Sequence, residues 1–213
     1  MNSNRNSSKG LAVVRNSSEE EGMKPRILCF AGSTREASFN RQLALAAARA
    51  VEEAGGEATL MDLRDHPLPM YDGDLETSAG LPLGVRPLKE LFKSHDGLFI
   101  ASPEYNGSFS AVLKNTLDWV SRPAGDEAGT VPYAGKVVAL AATSPGALGG
   151  LRGLVHLRAV LQSVGALVLS EQVAVGGATG AFTPDGRLSD ERLQQMLDRT
   201  AARLVLVASR LRP

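Results

Sequence analysis

A single cysteine in 213 residues rules out several chemistries at once. Cys29 has no second thiol to meet, so a disulfide framework, a CxxC redox pair and a thiolate zinc site are all excluded. It lies inside the apolar run 27–31 and reads as a small buried hydrophobe. Net charge is missing as well, because 23 Lys and Arg balance 23 Asp and Glu. A balanced chain has no general pull on nucleic acid or on an anionic membrane surface, so any anion site must be local. No apolar stretch reaches the roughly 18 residues of a membrane span. The N-terminal segment is apolar only over residues 11–14, too short for the core of a signal peptide. Its Ser and Asn richness predicts a disordered arm over residues 1–24 ahead of one domain over 25–213, in a cytoplasmic protein. His66, His95 and His156 are scattered, without partners at metal-ligand spacing, and are expected to be structural or solvated.

From Arg26 onward, strand-like and helix-like signals alternate. RILCFAG, EATLMDL, DGLFIAS, GKVVALAAT and ALVLSEQVAV read as strands, most of them near-continuous apolar runs. After the first strand comes a helix whose stripe is Leu43, Ala46, Ala47, Ala50, Val51 and Ala54, with Ser38 as N-cap and Gly55-Gly56 as the stop. Residues 64–82 are rich in Pro and predict a loop, followed by a short helix over GVRPLKELFKSH. Further helices are expected over residues 108–121, with Ala111, Val112, Leu113, Leu117 and Val120 as apolar positions, and over 151–165. A last long helix opens on a capping-box-like Ser189-Asp190-Glu191-Arg192. Five strands alternating with five helices imply a parallel sheet covered on both faces, with no internal repeat and no second domain.

In such sheets ligands sit beyond the carboxyl ends of the strands. Three of those loops are unusual. FAGSTREASFN leaves the first strand through Gly32, Ser33, Thr34, Arg35 and Ser38, where a helix N-terminus, hydroxyls and a guanidinium together suit a terminal phosphate. It is neither a P-loop nor GxGxxG. SPEYNGSFS leaves the third strand through Pro103 and an Asn106-Gly107 turn, able to present backbone groups to a flat heteroaromatic edge beside Tyr105. TSPGALGGLRG carries four glycines between Gly146 and Gly153, which permit close backbone approach to a ligand, and sets Arg152 at a helix start. Each loop alone also reads as an ordinary turn or flexible loop, the first and third with a solvated Arg. The signal lies in their combination.

The set GSTREASFN, PEYNGSFSAVLKNTLDW and SPGALGGLRG resembles the NADPH-dependent FMN reductase family, which includes quinone and chromate reductases, from about residue 25 to about residue 207. The resemblance implies a flavodoxin-like α/β three-layer sandwich, its five-stranded parallel sheet in the order 2-1-3-4-5. It implies FMN as cofactor and NADPH or NADH as cosubstrate, with Ser33, Arg35, Ser38, Phe39 and Asn40 around the FMN phosphate. Pro103, Glu104, Tyr105, Asn106 and Gly107 would line the isoalloxazine and ribityl chain. Ser144, Gly146, Gly149, Gly150 and Arg152 would follow the other rim, and Met70 and Tyr71 would be neighbours of the flavin edge. An arsenical-oxidising branch with extended termini is argued against by PEYN in the second motif.

The flavin N5 would carry the chemistry, so no catalytic side chain is expected. Ping-pong transfer to quinone, flavin, azo or metal-oxyanion acceptors follows from that reading. Trp119 is expected to pack, and Lys114 and Asp118 to pair along their helix. The resemblance also implies a homodimer or homotetramer, a small-molecule electron acceptor, and neither nucleic acid nor membrane as partner. An electron-transfer protein docking on protein partners is the alternative, disfavoured by the missing acidic face. A phospho-acceptor regulator ranks last, because Gly32 and Ser33 stand where an acidic cluster would be needed.

Overall fold

The computed structural model describes residues 23–212, so the expected arm over 1–24 lies outside the described residues except for its last two. In chain order the elements begin β1 (Arg26–Ala31), α1 (Phe39–Glu53), β2 (Glu57–Met61), α2 (Gly73–Ala79), α3 (Val85–Lys93) and β3 (Gly97–Ala101). They continue β4 (Glu104–Tyr105), β5 (Ser108–Phe109), α4 (Ala111–Val120), β6 (Val137–Thr143), α5 (Leu151–Ser163), β7 (Leu167–Val175) and α6 (Glu191–Leu211). One five-stranded parallel sheet runs β2-β1-β3-β6-β7, the order expected, while β4 and β5 form a separate antiparallel hairpin.

The sheet is a sandwich because successive side chains of a strand point to opposite faces. Ile27, Cys29 and Ala31 of β1 pack towards α1 and α6, whereas Leu28 and Phe30 pack towards α3, α4 and α5. The central strands β3 and β6 are buried along their whole length, which is why both read as unbroken apolar runs. On one face α1 contributes Ala44, Ala46, Ala47, Ala48 and Ala50, all buried, so its backbone lies close to the sheet. Burial pushes the Cys29 thiol well above its ordinary pKa, as expected of a hydrophobe rather than a nucleophile.

Four local expectations need correction. The Pro-rich segment is not irregular throughout: it contains α2, started by the Asp72 carboxylate, which accepts the N–H groups of Asp74 (2.8 Å) and Leu75 (3.4 Å). The helix expected over 108–121 begins only at Ala111, because Ser108 and Phe109 pair with Tyr105 and Glu104 in the hairpin. Ala111, expected among its apolar positions, is exposed. The final helix is capped by Asp190, which accepts the Leu193 N–H at 3.0 Å, and Ser189 instead donates to the Gly180 carbonyl. Trp119 packs fully buried and Lys114 pairs with Asp118 at 2.7 Å, as expected.

Candidate functional site

β1 is followed by Gly32, whose N–H donates to the Ala101 carbonyl at the end of β3 (2.9 Å) and whose carbonyl accepts from Ser110 Oγ (2.6 Å). The first loop is thereby pinned to the second at its root. A Cβ at Gly32 would stand 2.9 Å from the Leu113 side chain, so the turn needs a residue without one. Ser33 and Ser38 are both buried, and the Ser38 hydroxyl makes no capping bond. The Ser38 carbonyl accepts the N–H groups of Arg41 and Gln42, where the helical ladder begins. Ahead of it, the N–H groups of Phe39 and Asn40 have no acceptor among the described residues, and they carry the positive end of the α1 dipole.

Arg35 is exposed, donates from Nη2 to the Ala37 carbonyl (2.7 Å) and lies over the Phe39 ring at 5.5 Å. No acidic side chain pairs with it among the described residues. The Asn40 side chain is bonded within the protein. Its amide bridges the end of β6, donating to the Thr143 carbonyl (2.9 Å) and accepting the Thr143 N–H (3.0 Å). With both amide atoms used, the side chain locks the first loop to the third.

The second loop is a two-residue hairpin turn. Asn106 (φ 52°) and Gly107 (φ 79°) both sit in the left-handed region, which the turn preferred by twisted strands demands. Glu104 at its base does not face a cleft freely. Its carboxylate takes Arg152 Nε at 2.7 Å, Arg152 Nη2 at 2.5 Å and the Gly153 N–H at 3.1 Å, fastening the hairpin to the start of α5. Burial works against this carboxylate, but those bonds outweigh it and hold its pKa below the usual glutamate range. His156 joins the same contact, its Nδ1 lying 3.1 Å from Ser108 Oγ.

In the third loop Gly149 (φ 60°) presses against β7, where a Cβ would come within 2.6 Å of the Val175 backbone. Gly150 (φ 89°) caps α5. Ser144 donates its N–H to the Val175 carbonyl and accepts the Ala178 N–H on its own carbonyl.

These three loops meet. A cavity of about 140 Å³ is lined from the first by Ser33, Arg35, Ser38, Phe39 and Asn40, from the second by Pro103, Glu104 and Tyr105, and from the third by Thr143, Ser144 and Pro145. Asn106, Gly107, Gly146, Gly149, Gly150 and Arg152 belong to the same loops but not to its wall, and Met70 and Tyr71 are outside it too. Tyr71 is instead tied to α4, with its N–H on Asn115 Oδ1 (2.7 Å) and its ring edge-on to Trp119 at 5.0 Å. Sequence reasoning missed Thr143 and Pro145. The available signal was a hydroxyl residue closing an otherwise aliphatic strand.

At one end the arrangement offers hydroxyls, N–H donors without an acceptor among the described residues and a guanidinium without an acidic partner among them, and at the other an exposed aromatic, Tyr105. The chain matches the family model described as NADPH-dependent FMN reductase over residues 25–180. It is 33% identical over 188 residues to an NAD(P)H-dependent FMN reductase of Pseudomonas aeruginosa, covering 88% of this chain and 97% of that one. With a quinone reductase of Escherichia coli it shares 34% identity over 154 residues, 72% of this chain and 78% of the other. Among solved structures, the flavoenzyme NAD(P)H:(acceptor) oxidoreductase FerB of Paracoccus denitrificans superposes with a TM-score of 0.73 at 28% identity, covering 87% of this chain and 98% of that one.

Proposed function

Because the chain belongs to the NADPH-dependent FMN reductase family, we propose that it holds FMN across the three-loop cleft and reduces a quinone or another small acceptor at the expense of NAD(P)H. The observation that carries this placement is the meeting of the loops after β1, β3 and β6 in one cavity whose guanidinium lacks an acidic partner among the described residues. When bound, FMN supplies the redox chemistry, taking a hydride from the nicotinamide and passing reducing equivalents on.

The chain's own residues bind and orient it. Arg35 and the N–H groups of Phe39 and Asn40 take the phosphate, with Ser33 and Ser38 donating from the side. A guanidinium has five donors, so Arg35 keeps its bond to Ala37 while turning two others to phosphate oxygens. Asn40 holds this loop in register with Thr143 at the end of β6. Pro103, Tyr105 and the turn at Asn106-Gly107 would line the ring system, and the glycine loop, Gly146 to Gly150, would follow its other rim. Glu104 and Arg152 act on the flavin through the hairpin they fasten. The nicotinamide and the acceptor would use the same open face in turn, which predicts ping-pong kinetics. Leu148, Leu151 and Val155 stand exposed along the start of α5, the surface a second copy would cover in a homodimer or homotetramer.

Anaerobic visible spectra test this reading. Purified protein with added FMN should give a perturbed, protein-bound flavin band that bleaches on adding NADPH and returns on adding a quinone. A flavin that binds but stays oxidised would leave a carrier rather than a reductase. Absence of binding would remove the cleft from consideration.

A further inference from the structure

We propose that residues 11–14, in the segment ahead of β1, dock on the free edge of β2 as a short additional strand. β2 is an outer strand of the sheet, with β1 on its inner side. The Glu57 N–H donates to the Pro25 carbonyl (2.9 Å), so Glu57 turns its backbone groups towards β1. Alternation along the strand then turns those of Ala58 and Leu60 outward, where no strand among the described residues meets them. Such an edge is a template for pairing unless something covers it.

The surface beside that edge suits an apolar strand with basic flanks. A cavity of about 370 Å³ opens between α1 and β2, with Ala44, Leu45, Leu60 and Met61 as its apolar wall. Leu45 and Leu60 remain 39% and 52% exposed. The charged groups of the wall are Glu36, Asp62, Asp65 and Arg41. Asp62 is answered by Arg41 (2.6 Å) and by Arg64 (2.8 Å). Glu36 and Asp65 have no basic partner among the described residues, which leaves the rim acidic.

The matching sequence lies in the same chain. Leu11-Ala12-Val13-Val14 is preceded by Lys9 and followed by Arg15. Docked on β2, the run would cover Leu45 and Leu60 while the two cations meet Glu36 and Asp65. The tether is long enough. Arg212 donates to the Met23 carbonyl and holds it at the base of the sheet. Climbing β2 from Glu57 to Leu60 and crossing about three strand spacings needs about 18 Å. Residues 15–22 reach about 26 Å when extended. Because the run precedes β1 and must return to the base of the sheet, it would lie antiparallel to β2.

Hydrogen exchange of the full chain, read by mass spectrometry, tests this. Amides over residues 10–15 are expected to exchange at least tenfold more slowly than those of the tether, 16–22. Leu60→Lys, a change at an exposed position, should return 10–15 to the tether rate. Peptides from β1 and β3 should keep their protection, which shows that the variant is folded. Lys9→Glu together with Arg15→Glu should also release 10–15, and adding Glu36→Lys and Asp65→Lys should restore the protection. Exchange of 10–15 at the tether rate in the unaltered protein overturns the proposal. Protection of 10–15 that survives Leu60→Lys places the run elsewhere and overturns it as well. So does protection of 57–62 that appears only as protein concentration rises while 10–15 stays open, since the edge then pairs with a second copy.

Discussion

Arg35 is exposed, and no acidic side chain among the described residues neutralises it. Its one side-chain bond, to Ala37, orients the guanidinium without satisfying its charge. Removing a charge-assisted hydrogen bond to phosphate costs about 1.5–3 kcal/mol. Arg35→Ala should therefore weaken FMN binding by one to two orders of magnitude in calorimetric titration, with thermal stability of the flavin-free protein unchanged. Unaltered FMN affinity would take Arg35 out of the site. Glu104 has the opposite character: its side chain is 8% exposed and its bonds are internal. Its lowered pKa means that the contribution is fully present above the ordinary glutamate value of about 4.3 and is lost as pH falls through the lower folded value. Wild-type stability relative to Glu104→Gln should thus be constant from neutral pH down to about 5, decline as pH falls past the ordinary glutamate value and vanish only below the lowered folded value. Because Arg152 is largely exposed, the difference at pH 7 should be modest, about 1–2 kcal/mol in urea unfolding. A difference that persists undiminished at pH 3 would exclude the ionised carboxylate as its source.

Among the elements, those that could be read from the sequence were those whose cause is local. Asn106-Gly107 specifies its turn by backbone preference alone, and the five strands announce themselves by apolar runs. By contrast, α2 was hidden behind Pro67 and Pro69, since a seven-residue helix started by one Asp72 leaves almost no periodic signal. The Glu104–Arg152 clasp joins residues 48 positions apart, and no spacing rule reaches that far. The Asn40–Thr143 bridge, a strut between loops, likewise joins residues 103 positions apart. The glycine loop gives a sharp test of the distinction between turn preference and packing. Gly107 and Gly149 both have positive φ, yet a Cβ at Gly107 meets open space while one at Gly149 strikes the Val175 backbone at 2.6 Å. Gly107→Ala should cost about 1–2 kcal/mol, the left-handed penalty alone. Gly149→Ala should cost more than that, because β7 must also shift. Equal losses of melting temperature for the two would show that β7 yields freely.

At the scale of the whole molecule, the two helical faces follow from the alternating direction of the side chains along β1, buried on both sides, and the site follows from the topology. The loops after β1, β3 and β6 fall together because those strands are adjacent and parallel, with Gly32 bonded to Ala101 and Ser102 to Ala141 across their ends. What the sequence could not show is how tightly these loops depend on one another: α1 is bridged to β6 by Asn40, β1 to α4 by Ser110, and the hairpin to α5 by Glu104. A ligand touching all three loops therefore binds only the folded sheet edge, and its free energy adds to that of folding. At a free concentration one hundred times its dissociation constant, FMN should stabilise the protein by about 2.7 kcal/mol. For a domain of this size each kcal/mol moves the midpoint by about 2–4 °C, so a rise of about 5–10 °C is expected on saturating the flavin-free protein. Riboflavin, which lacks the phosphate, should give a much smaller shift at equal concentration, and Arg35→Ala should reduce the FMN shift towards the riboflavin value. An equal shift from both flavins would mean that the first loop does not hold the phosphate, even if the ring system lies where the hairpin and the glycine loop place it.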